Sequence, residues 1–181
     1  MSSRLFKLIG GFAALAMLAP VGPADAASRD RKFFEQVAGV WTGPGEIVAG
    51  KYKGTKFTCN LTGQPASGKA TGIKLDGTCR VGVFSQPMSA EISQVGSSYE
   101  GQFLDGAEGK GLDIVSGQVS GDKVVVGLNR AKLDGAMVAR IQDPTAMNIT
   151  ISVKVEDRMI PVIGLRLNRQ ADAMATGAIQ N

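Results

Sequence analysis

Between Ala146 and Glu156 the chain alternates without a break. Met147, Ile149, Ile151, Val153 and Val155 are apolar; Asn148, Thr150, Ser152, Lys154 and Glu156 are polar. A period of two places every apolar residue on one face of an extended strand, whereas on a helix the same residues would spread around the whole circumference. The pattern recurs. Lys56 to Gly63 sets Phe57, Cys59 and Leu61 against Lys56, Thr58, Asn60 and Thr62. Residues 69–83 are expected to turn Thr71, Ile73, Leu75, Cys79, Val81 and Val83 inward, with Lys74, Asp76, Thr78 and Arg80 outward. Further strands are predicted over 88–95, 98–104, 112–120, 123–126, 136–142 and 159–169. Turn signals separate them: Gly96-Ser97, the glycine-rich 105–111 stretch, Gly121-Asp122, Asp143-Pro144 and Glu156-Asp157-Arg158.

Many one-sided strands joined by short turns make an antiparallel meander. Left open, such a sheet exposes two edges, and closing it removes them. The expected fold is therefore all-β: an antiparallel up-and-down β-barrel of about eight to ten strands, with a β-sandwich as the alternative. Upstream of the first strand, Phe33, Phe34, Val37 and Ala38 share one helical face. One or two helical turns there would close one end of the barrel. The first strand then opens at Trp41, the chain's one tryptophan, with Gly43, Gly45, Ile47 and Ala49 on the same side and a glycine bend between them.

The N-terminus has a different character. Arg4 and Lys7 precede an apolar run from Leu8 to Ala19, which Pro20 and Pro23 interrupt before a small-x-small site at Ala24-Asp25-Ala26. The run has the length of a secretory core and is too short to span a bilayer. Residues 1–26 are expected to be a signal peptide cut after Ala26. Residues 27–170 would be a single lipocalin-like barrel domain, and 171–181 a flexible tail. No transmembrane segment is expected after cleavage, and the implied location is the bacterial periplasm or the exterior.

Export gives the two cysteines a meaning. In an oxidising compartment Cys59 and Cys79 are expected to form a disulfide, rather than supply thiolates to a metal. A simple hairpin through the turn at Gln64–Gly68 would pair residue 59 with one nearer 73. On that reading the bridge calls for a bulge or bend, placed at Gly77.

The chain has no histidine. This removes Ser-His-Asp and Cys-His chemistry and most zinc hydrolase sites. No catalytic residue, cofactor site or metal site is assigned. Residues 106–111 lack Walker spacing. Asp76, Asp105, Glu108 and Asp113 fall at turns, where acids are common. The formal charge of +4 comes from interspersed acids and bases, so no nucleic-acid partner is expected. A lipid-spanning outer-membrane barrel is disfavoured by Lys56, Lys74, Arg80 and Lys154 on the outward faces.

At Gly39-Val40-Trp41 the chain resembles the calycin superfamily: lipocalins, fatty-acid-binding proteins, avidins and nitrobindin-like bacterial barrels. These share a helical turn, a Gly-x-Trp opening the first strand, and a basic residue late in the last strand that packs across the tryptophan. The resemblance implies that Arg169, which keeps the inward parity of Leu165 and Leu167, closes the barrel over Trp41. Nitrobindin-like members hold haem through a histidine, and with none here haem does not carry over.

The resulting expectation is a binding protein for a small apolar or amphipathic ligand. Thr71, Ala90, Phe103, Met137, Ala139 and Ile151 are candidates for the interior lining. The alternative is an interaction protein of the cell envelope, such as a protease or lysozyme inhibitor or a structural factor. It would make contact through the charged 28–32 arm and the 105–111 loop. The oligomeric state is left open.

Overall fold

Alternating segments become antiparallel strands, ten of them, in a computed structural model that describes residues 23–67, 71–104 and 111–171, with side chains from residue 28 onward. The predicted signal segment up to residue 22, loop residues 105–110 and tail residues 172–181 lie outside the described residues. Helix α1 (Pro23–Val37) comes first. The strands are β1 (Gly39–Ile47), β2 (Lys56–Pro65), β3 (Gly72–Val81), β4 (Phe84–Val95) and β5 (Ser98–Leu104), followed by β6 (Leu112–Ser120), β7 (Lys123–Arg130), β8 (Leu133–Asp143), β9 (Ala146–Val155) and β10 (Arg158–Arg169). Each pairs with its neighbour in sequence, and β1 pairs with β10, so the barrel is closed.

The helix is longer than the one or two turns expected. It runs 15 residues and begins upstream of Ser28. Pro23 suits its first position, where a backbone N–H would find no partner in the helix. Gly39, at φ +117°, turns the chain from the helix into β1.

Two register expectations need correction. Cys59 stands directly opposite Cys79, and the β2–β3 ladder runs from Thr58↔Arg80 to Pro65↔Ile73 without a shift. No bulge at Gly77 is involved. The turn is centred several residues later than Gln64–Gly68 suggested, and this alone brings the cysteines together. The disulfide joins them with their Cα atoms 4.0 Å apart. Second, the inward run of β3 ends before Val83: Val81 keeps the parity of Cys79 but is exposed at the barrel end, and Val83 lies beyond the strand. Val81 pairs with Phe84, leaving Gly82 and Val83 as a two-residue turn. Gly82 has φ +56°, the sign that primed hairpin turns require. Val83 is 93% exposed at the tip.

The core is made of the inward residues, with Trp41, Tyr99, Phe33, Ile73, Met147, Leu167 and Val126 almost wholly buried. Each such side chain contributes about 1.5–3 kcal/mol on removal from water. Glycines shape the wall. A Cβ at the inward positions 43, 77 or 101 would strike the backbone of an adjacent strand. At Gly45 it would strike the ring of Phe57, its cross-strand partner. These positions let strands coil tightly around the barrel. Following the pairing register around the ring returns to β1 displaced by about a dozen residues, the stagger that closure demands.

The cross-link closes a loop of 20 residues between two adjacent strands. Reduction, or replacement of both cysteines by serine, is expected to lower stability by about 3 kcal/mol. Urea unfolding with and without reductant checks this; an unchanged midpoint would show that the staple does not constrain the unfolded chain.

Candidate functional site

An up-and-down barrel has two unlike ends. At one lie the β2–β3, β4–β5, β6–β7 and β8–β9 turns and the entry to β1, with α1 beside it. At the other lie the five odd-numbered hairpin connections, from β1–β2 to β9–β10.

The first end is sealed. Phe33, Phe34 and Val37, on one face of α1, are buried against the barrel core. Phe33 and Phe34 meet edge to face at 5.4 Å, and Phe34 lies 5.2 Å from the ring of Tyr99 at the start of β5. The Tyr99 hydroxyl donates to Asp30 Oδ2 of the helix at 2.8 Å. Burial, and then the bond to and negative charge of Asp30, push the phenol well above its usual range. Residues 28–32 are thus helix tied to the barrel, not a free arm.

The C-terminus of α1 leaves carbonyl oxygens without helical partners. Trp41 Nε1 donates to Val37 O at 2.8 Å. Arg169 donates through Nη1 to Ala38 O and through Nη2 to Gln36 O, and through Nε to Pro144 O at 2.9 Å. Its guanidinium also lies 4.3 Å from the centre of the Trp41 ring. A cation is favoured at a helix C-terminus and over an indole face, and this one side chain occupies both positions. Arg166, of opposite parity, is exposed.

Burial falls toward the second end. Phe57, Met137, Ile151, Leu112 and Leu165 point inward and pack against the core, yet are only partly buried. The predicted lining residues divide along this gradient. Thr71 is buried at the sealed end, where its carbonyl accepts from Gln94 N, so it lies away from the mouth. Ala90 and Ala139 are buried at mid-height. Phe103, Met137 and Ile151 stand nearer the mouth. Ala90 pairs with Phe103 on one wall, and Met137 pairs with Ile151 on another. Ala49, placed inward from the sequence, lies past the end of β1.

A depression of about 450 Å³ lies on the outer wall, between Pro44, Lys56, Asn148, Thr150 and Arg166. It is shallow and open. Among the described residues no three of His, Cys, Asp or Glu gather as a metal site would require. No described helix is long and apolar enough to cross a membrane.

The class defined by this geometry is a closed ten-stranded antiparallel barrel plugged at one end by a helix. No known family pattern matches the sequence, and no curated protein matches it. Among solved structures, the crystal structure of Rv2717c from M. tuberculosis is similar, with a TM-score of 0.57 and 14% identity, over 78% of this chain and 98% of that one. At that identity the likeness is one of fold.

Two tests address the sealed end. Arg169→Ala strips a donor from three carbonyls and a cation from the indole, and is expected to cost about 2–4 kcal/mol in urea unfolding. Arg169→Lys should restore only part, because an ammonium cannot reproduce the planar fork. An Ala variant as stable as wild type would remove the closure role. Tyr99 gives a pH dependence. Its phenol holds the proton more tightly folded than unfolded, so its stabilisation is complete below about pH 10 and is lost as pH rises beyond it. Tyr99→Phe is expected to flatten that alkaline fall in thermal unfolding; an identical slope would contradict the assignment.

Proposed function

We propose that the chain is a calycin-like binding barrel of the periplasm or cell exterior, taking a small apolar or amphipathic molecule through its unplugged end. The observation that carries this reading is the burial gradient: inward apolar side chains are sealed at the helix end and solvent-reachable toward the other. Ten strands support it, because eight already enclose enough room for one small ligand. The Gly-x-Trp with its late arginine supports the calycin assignment, and the disulfide fits an oxidising compartment. The interaction-protein reading has less to stand on, because Asp30 in its proposed arm is engaged with Tyr99. No catalytic role is proposed.

Native mass spectrometry of protein purified gently from its host's envelope tests the reading directly. A stoichiometric small molecule is expected, and a bare chain or a bound protein partner would count against it. In solution, Met137→Ser is expected to weaken binding of a fluorescent fatty-acid probe about tenfold or more, from the apolar contact it removes. Equal affinity in a folded variant would exclude the Met137–Ile151 wall as the binding surface.

A further inference from the structure

Most of the large apolar residues left exposed among the described residues gather at one end; Val95 at the β4–β5 turn and Val115 on the outer face of β6 are the exceptions. Val83 and Phe84, 93% and 77% exposed, form the tip of the β3–β4 hairpin. Tyr52, 63% exposed, projects from the β1–β2 connection, Leu133 from the start of β8, and Val155 and Met159 from the β9–β10 hairpin. All belong to the unplugged end. Folded proteins tolerate single exposed apolar residues, but a group of them on four hairpin tips at one end marks a contact surface.

Cations flank these tips. Lys51 and Lys53 bracket Tyr52, with Lys51 Nζ 5.4 Å from the ring centre. Arg80 precedes the Val83–Phe84 tip, Lys132 adjoins Leu133, Lys154 adjoins Val155, and Arg158 adjoins Met159. Among the described residues the acids at these tips are fewer: Asp134, which accepts from Asn129 Nδ2, and the Glu156-Asp157 pair. Apolar groups at the summit and cations beside them match the depth profile of an anionic bilayer surface, where acyl chains lie beneath phosphates.

We propose that the unplugged end docks end-on to an anionic phospholipid bilayer. Phe84, Val83 and Tyr52 enter the interface, and Lys51, Lys53 and Arg80 meet the headgroup phosphates. Charge separates this occupant from a second copy of the chain, because rim-to-rim pairing would set cations against cations. End-on contact also separates docking from spanning. The exterior carries the Lys74–Asp76 pair on β3 and Arg140 of β8 paired with Asp122 of the β6–β7 turn, and the interior is apolar, the reverse of a lipid-spanning barrel. The proposal stands whether or not the interior holds a ligand.

Vesicle flotation tests it, with the full chain as isolated from its host and variants carrying the same N-terminus, so that any upstream apolar residues contribute equally. The wild type is expected to float with vesicles of equal parts phosphatidylglycerol and phosphatidylcholine, much less with phosphatidylcholine alone, and less as salt rises. Lys51→Gln with Lys53→Gln is expected to weaken binding about thirtyfold. Val83→Ser with Phe84→Ser is expected to weaken it about tenfold or more, and these tip positions are exposed enough to leave the fold intact. Binding that ignores both double variants would overturn the proposal, as would no binding to anionic vesicles. A dimer abolished by the Val83/Phe84 substitutions would overturn it in favour of a second copy.

Discussion

One guanidinium ties the barrel together. Arg169 lies at the end of the last strand, covers the tryptophan near the start of the first, and donates to carbonyls at the end of the helix. Closing a sheet requires that β1 and β10 meet in one register, and plugging it requires that the helix sit in one orientation. Arg169 imposes both conditions at once, with Trp41 Nε1 supplying a further donor to the helix end. Asp30 and Tyr99 secure the helix a second time, near its middle. A helix held at two points cannot swing aside, so the sealed end is a fixed floor.

That floor gives the barrel a direction. Apolar side chains are buried where the helix covers them and become accessible toward the other end. The exterior follows the same axis, with ion pairs on β3 and beside the β6–β7 turn and, among the described residues, most of the exposed large apolar side chains at the unplugged end. A binding function and a membrane-docking function would both use that end, the first through its interior and the second through its rim.

The period of two made most of the strands legible, because it depends only on which residues must leave water. The strong alternation from Met147 to Val155 corresponds to β9. Register was less legible, since it depends on where a turn is centred. Displacing the β2–β3 turn by a few residues converted a supposed bulge at Gly77 into the direct Cys59↔Cys79 pair. Val81 and Val83 continue the alternation of β3, yet the hairpin turns beneath them, and nothing in hydrophobic periodicity marks that limit except Gly82. Thr71 kept its buried status but lies at the sealed end, because alternation gives the face of a residue and not its height along the barrel.

The closure also bears on how the chain folds. Arg169 donates to a carbonyl 131 residues upstream, so the contact forms only when both termini of the barrel have been drawn together. Neighbouring hairpins need only short loops and can form early, whereas pairing of β1 with β10 carries the largest loop-closure entropy in the structure. A contact made after the folding barrier has little influence on the folding rate and a large one on the rate of opening. Should the Arg169 contact form after that barrier, the arginine at the end of β10 would act as a kinetic latch, setting how long the closed barrel lasts rather than how quickly it is built.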